Sequence, residues 1–218
     1  MRTSTYYAIG FLMIAAVLAL TGLAYPRLPQ VVPTHWNAHG AVNGYSPKWT
    51  LFLTTPGAMA LIMLVFSLLP VLSPKRFEVD SFRSTYLYIM VMIVALLGYI
   101  HGLVLWAGLT NGGGINLMRG ILGGGCLLFA LLGNVLGKVR RNFYVGVRTP
   151  WTLANEHVWN ATHRFAAKTF FCGGLAGLAL LLVGVAFQAA LIALLVAGLA
   201  PVVYSLVIYK RLERRGEA

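Results

Sequence analysis

Three small constellations have residue types that could do chemistry. His35, Asn37 and His39 alternate in PTHWNAHG, Pro33 to Gly40, so an extended backbone would set all three on one face. Imidazoles in that arrangement suit Zn, Cu or Ni. Zinc usually takes three or four protein ligands, however, and the Pro26 to Thr50 stretch has no Asp, Glu or Cys. Two readings stand for this loop: the start of a metal site, or side chains that bond the loop's own backbone and the lipid headgroups. The second is the expectation, with no metal. Further on, Gly146-Val147-Arg148 precedes Thr149-Pro150, which reads as an N-cap followed by proline at the first helical position. An arginine beside a helix start makes an anion-attracting corner. His157 and His163 could pair with Glu156, but the histidines are six positions apart, which turns a helix by about 600° and places them on different faces. HExxH, GxSxG, a phosphate loop and paired carboxylates are all missing from the sequence. Neither catalysis nor a cofactor is expected.

The elements that position these residues follow from composition. Of 218 residues 59% are hydrophobic and 10% charged, with 17 Lys and Arg against 5 Asp and Glu, 24 Gly and a mean hydropathy of +0.78. That is a membrane composition. A nucleic-acid footprint would need Lys and Arg clustered on a water-soluble face, so direct nucleic-acid binding is not expected. Six apolar runs are long enough to cross a bilayer, at about Tyr6 to Tyr25, Leu51 to Leu72, Thr85 to Leu109, Ile115 to Leu136, Phe170 to Phe187 and Ala189 to Tyr209. The fold expected is all-α and polytopic: six transmembrane helices, one extracytoplasmic cap loop and one cytoplasmic amphipathic helix. Domains are expected at 1–110 and 111–218. The last two runs meet at about Gln188 in a tight hairpin.

Fourteen of the 17 basic residues fall on one side of this arrangement, leaving Arg27, Lys48 and Arg119 on the other. The richer side is cytoplasmic by the positive-inside rule, which puts both termini in the cytoplasm. Arg2, the first apolar run and Gly22-Leu23-Ala24 also fit a secretory signal, but a run of about 20 residues can span. The expectation is a retained first helix. Cys126 and Cys172 lie at different depths, so both are expected as free, buried, structural thiols.

Two polar stretches interrupt the apolar runs. Pro26, Pro29 and Pro33 impose extended geometry on the first, and Gly40 and Gly44 supply turns. In the second, Gly137 to Thr169, Lys138, Arg140 and Arg141 follow a span and suit contact with anionic lipid. From Pro150 onward Trp151, Val158 and Phe165 recur every seven residues, with Ala154 and Thr162 between them. This predicts one apolar stripe, with Asn155, Glu156, Asn160, His163 and Arg164 on the opposite face.

At these two stretches the sequence resembles a known family. PTHWNAHGAVNGYSPK, Pro33 to Lys48, resembles the signature of a small membrane domain that often forms the N-terminal half of SdpI-type proteins. NFYVGVRTPWTLANEHVWNATHR, Asn142 to Arg164, resembles the C-terminal signature of the SdpI family, immunity proteins of the sporulation-delaying toxin system. The matching positions are Pro33, His35, Trp36, Asn37, Gly40, Gly44, Tyr45 and Lys48, then Asn142, Gly146, Arg148, Pro150, Trp151, Thr152, Trp159 and Arg164. His39 and this set apart from Pro33 and Gly44 are the candidates for binding a ligand or partner. Asn43 departs from the pattern, which commonly has aspartate there.

The resemblance implies a bacterial integral membrane protein, embedded in the lipid bilayer, that protects its cell from an extracellular peptide toxin. It also implies a cytoplasmic transcriptional repressor as a partner. A small transporter is the competing class, resting on His101 and Asn134 inside apolar runs; a receptor without a toxin is another. Gly112 to Gly114, Gly120, Gly123 to Gly125 and Gly133 would allow close helix approach along the fourth run.

Overall fold

The computed structural model describes residues 2–37, 40–73, 79–111 and 116–217. His39, the loop residues Lys75, Arg76 and Glu78, and Gly112 to Gly114 lie outside them. The described elements are α1 (Thr3–Ala24), β1 (Val31–Trp36), β2 (Val42–Pro47), α2 (Thr54–Leu72), α3 (Arg83–Leu109), α4 (Leu117–Leu136), α5 (Pro150–Ala154), α6 (Glu156–Leu182) and α7 (Phe187–Glu213). All but α5 of the seven helices are long and apolar enough to cross a membrane. Their outward faces carry Phe11, Leu12, Leu23, Leu61, Leu199 and Val203, each more than half exposed. Apolar exposure on that scale is what lipid, rather than water, tolerates. The chain is an all-α polytopic membrane protein.

Two differences from the expected boundaries have local causes. The turn between the last two helices lies at 183–186, around Gly184, so Gln188 is already inside α7. The amphipathic helix expected from Pro150 is in two pieces, α5 and the start of α6, and α6 runs on without a break into the fifth span.

The chain divides into two compact units, Met1–Phe66 with Met90–Gly124, and Ser67–Ile89 with Gly125–Ala218. In the first, β1 and β2 form an antiparallel hairpin between α1 and α2, in the stretch expected as a compact cap loop. Its base rests on a small core of Leu28, Val32, Leu51 and Leu105. Gly108 of α3 leaves the room for it: a Cβ there would stand 2.9 Å from Leu28 Cδ2. Deeper in the same unit Thr21 and His101 are buried together. The Thr21 hydroxyl donates to Val17 O at 2.8 Å, so it accepts from His101 Nε2 at 2.7 Å. Nδ1 of His101 is buried without a hydrogen-bond partner among the described residues.

In the second unit α4, α6 and α7 pack through small residues. A Cβ on Gly133 would stand 2.8 Å from Ala167 O, and one on Gly174 would stand 2.5 Å from Cys126 O. Close backbone approach of this kind is how helices gain dispersion contacts in lipid. Pro201 sits inside α7 and has no N–H for the carbonyl of Ala197. Thr169 of α6 donates its hydroxyl to that carbonyl at 3.0 Å, satisfying a group that lipid could not. Cys126 is buried in this packing. Cys172 is exposed, contrary to expectation, because its position on α6 turns it away from the neighbouring helices.

Candidate functional site

The second motif folds into a dense hydrogen-bonded knot between α4 and α6. Asn142 is fully buried. Its Oδ1 accepts from the Tyr144 and Val145 N–H groups, both at 2.7 Å, and its Nδ2 donates to Arg140 O at 2.8 Å and Val145 O at 3.0 Å. A side-chain amide can do no more. Asn142 thereby supplies the turn with bonds that its backbone cannot make to itself.

Trp159 and His163, one helical turn apart on α6, hold the other side. Trp159 is fully buried and donates Nε1–H to Val139 O at 2.8 Å, tying α6 to the segment that leaves α4. The imidazole of His163 stacks on the indole, with ring centroids 4.0 Å apart and planes 19° from parallel. Val147 N–H donates to His163 Nε2 at 3.0 Å, which requires Nε2 to be unprotonated; Nδ1 then donates to Trp159 O at 2.9 Å. Both nitrogens of a neutral ring are committed. Gly146 makes this possible twice over. Its φ of +112° is a region that side chains rarely adopt, and a Cβ there would overlap His163 Nε2.

Thr149 caps α5. Its hydroxyl accepts from Thr152 N–H at 3.2 Å, while Thr149 N–H donates to Thr152 Oγ1 at 2.9 Å. Ser205 of α7 reaches Val202 O at 2.6 Å, and its Oγ lies 3.1 Å from Thr149 Oγ1, a bond in which either hydroxyl can donate. The anion-attracting corner expected at this helix start is thus closed by the protein's own hydroxyls. Arg141 closes the opposite end of α5, its guanidinium reaching Leu153 O and Ala154 O at 3.4 Å each. Asn155 breaks the helix and caps α6 through Val158 N–H at 3.1 Å.

The break at Asn155 corrects the predicted stripe. Val158 and Thr162 are buried, Trp151 and Phe165 are half-buried, and Ala154 is exposed. His163, expected on the polar face, is among the most buried residues of the chain. Of the residues expected to meet a ligand, Asn142, Thr152 and Trp159 face inward, and Gly146 is the hinge of the knot. Arg148, Pro150 and Arg164 are exposed, with Trp151 half-exposed beside them. The guanidinium of Arg148 bonds Phe143 O and otherwise stands at the surface.

In the hairpin the first motif is arranged differently. His35 Nδ1 donates to Asn43 Oδ1 at 2.5 Å across the strands. The strand ends at Trp36, so Asn37 does not continue the face of His35. Instead Asn37 closes the tip: its Oδ1 accepts from Ala41 N–H at 3.0 Å and its own N–H donates to Ala41 O at 2.9 Å, beside Gly40 at φ +81°. Lys48 donates to Tyr25 O and Leu28 O, both at 3.2 Å, and lies 4.4 Å over the Tyr25 ring. Trp36 is half-buried and Tyr45 is 64% exposed.

Comparison with known proteins matches these two regions. The SdpI/YfhL protein family matches residues 138–205, and a domain of unknown function, DUF1648, matches residues 12–60. "Immunity protein SdpI" of Bacillus subtilis (strain 168) is 31% identical over 159 residues, covering 69% of this chain and 70% of that protein. The chain belongs to the SdpI family. No solved structure matches it. As a family member with six apolar helices it is a multi-pass protein of the bacterial membrane.

Within the SdpI match, sequence reasoning gave His163, Asn155 and Arg141 other places than those they take and missed Ser205. A signal existed for His163: Trp159 and His163 are four residues apart, which puts them on one helix face. No comparable spacing joins Ser205 to Thr149, because the two meet only through tertiary packing.

Proposed function

We propose that this SdpI-family protein is a non-enzymatic immunity protein that protects its cell against a membrane-active peptide toxin. In this reading both termini are cytoplasmic, the hairpin faces outward toward the toxin, and the 138–164 knot faces the cytoplasm. The observation that carries it is the 31% identity to an immunity protein over about two thirds of both chains. The geometry supports a recognition role over catalysis, since the imidazole of His163 has both nitrogens bound by backbone groups. The knot presents Arg148, Pro150, Trp151 and Arg164 as a surface, and we assign to it the finer role of holding a cytoplasmic transcriptional repressor.

Expression in a toxin-sensitive host tests the reading. Full-length protein is expected to raise survival, and Arg148→Ala or Trp151→Ala to abolish it at unchanged protein level. Survival equal to the empty vector would overturn immunity. A reporter enzyme fused after Ala218 that is active only outside the cytoplasm would overturn the orientation, and the repressor role with it.

A further inference from the structure

The start of α3 and the segment leaving α4 enclose an open recess of about 480 Å³ in the second unit. Arg83, Lys138 and Arg140 line it together with Asp80, Ser84 and Thr85. Arg83 is partly committed, its Nε and Nη2 reaching Asp80 Oδ1 at 3.1 and 2.5 Å. Lys138 and Arg140 are different: both are exposed, and neither side chain has a partner among the described residues. Their neighbour Arg141 has turned the other way to close α5. The basic run read from the sequence as a flat lipid contact is thus split, two of its charges joining Arg83 around one cavity.

Among the described residues that line the recess, Asp80 is the one carboxylate. The whole chain has only five Asp and Glu against 17 basic residues. Asp80 is held by Arg83, and Glu213 is bonded to Lys210 at 2.7 Å. The described lining therefore keeps an excess of two positive charges, beside the hydroxyls of Ser81, Ser84 and Thr85, which are able to donate to oxyanions. Guanidinium and ammonium groups converging with hydroxyls suit a phosphate oxygen cluster, and the volume lies within the range of small-molecule sites.

We infer that this recess binds a phosphate-bearing anion, a phosphodiester lipid headgroup of net negative charge or free phosphate, through Lys138, Arg140 and Arg83. Both ligands carry the same oxyanion; the lipid additionally requires acyl chains along the apolar helix faces that adjoin the recess. The inference stands apart from toxin immunity, and its test requires no toxin.

The full-length protein, purified in an uncharged detergent, is titrated in native mass spectrometry with phosphatidylglycerol and with phosphatidylcholine of the same acyl chains. Sodium phosphate is added in a second arm as competitor. Phosphatidylglycerol is expected to bind more tightly than phosphatidylcholine. Near an anionic lipid each basic side chain is worth roughly fivefold in affinity, so Lys138→Gln with Arg140→Gln should weaken binding by about 25-fold. Arg214→Gln with Arg215→Gln removes the same charge from the exposed tail and should leave binding within about twofold. Ser84→Asp, an exposed position in the recess, provides an independent variant and should weaken binding by about fivefold.

Lipid binding that millimolar phosphate does not displace identifies the headgroup as ligand. Displacement by phosphate, lost in the same variants, identifies free phosphate. Equal binding of the two lipids without competition by phosphate would overturn the inference, as would equal losses in the recess and tail variants.

Discussion

In the hairpin of 31–47 the motif's described polar side chains are exposed or half-buried. His35 is exposed and meets Asn43; Asn37 closes the tip. In the 138–164 knot Asn142, Thr152, Trp159 and His163 are no more than 1% exposed, and the polar groups of their side chains are bonded. A motif can therefore mark a sequence that must fold in one way, or one left free to touch something else. The knot is mainly the first kind and the hairpin the second. Substitutions should cost stability in the knot and, in the hairpin, cost function while leaving stability nearly intact.

The largest difference is expected at tryptophan. Trp159→Ala removes the indole under His163 and the bond to Val139 O, and leaves a cavity that α4 and α6 cannot easily close. Aromatic-to-alanine changes at such sites cost roughly 3–5 kcal/mol. Trp36→Ala, at a half-buried strand end, should cost about 1 kcal/mol. Unfolding in detergent, followed by tryptophan fluorescence and circular dichroism, would measure both. Equal losses would end the distinction between the regions.

A smaller contrast is expected at glycine. Gly146→Ala must hold a side chain at φ +112° and push against His163 Nε2. Backbone strain alone is worth about 1–3 kcal/mol, and the overlap adds to it. Gly40→Ala meets only an ordinary contact, Met118 Cγ at 3.5 Å, at φ +81°. Its cost should stay near 1–2 kcal/mol, the usual penalty for a left-handed residue. A Gly146→Ala protein that melts with the wild type would show that His163 can move aside, and would remove its role as the knot's fixed point.

These contrasts also explain what the sequence disclosed. The helices were legible because about 20 apolar residues in a row admit few other structures. The start of α5 was legible because Thr149 and Pro150 are specific to a helix entrance. The hairpin was hidden. Pro33 and Gly44 weaken any strand reading, and its register slips between Pro33, His35 and Trp36, so the alternation that put Asn37 and His39 beside His35 does not persist past Trp36. The place of His163 was misread for a related reason. Counting 100° per residue from Trp151 assumes one unbroken helix, and the break at Asn155 resets the phase. Gln188 drew the last turn because it is polar, whereas Gly184 was the residue able to make it.

The smallest expected effect concerns the pair of His35 and Asn43. His35 donates to Asn43, an amide where the SdpI-type pattern commonly has a carboxylate, so the bond lacks the charge that would strengthen it. Both residues are exposed, and water can replace either partner when the other is removed. A double-mutant cycle of His35→Ala and Asn43→Ala should therefore give a coupling of about 0.5 kcal/mol, near the lower end for a neutral hydrogen bond. In the toxin-survival assay the two single variants should nonetheless differ from wild type if the hairpin meets the toxin, because desolvation on binding raises the worth of the same bond. A coupling above about 2 kcal/mol in the free protein would make the pair architectural, like Asn142, and would leave the hairpin without the free polar surface that toxin recognition requires.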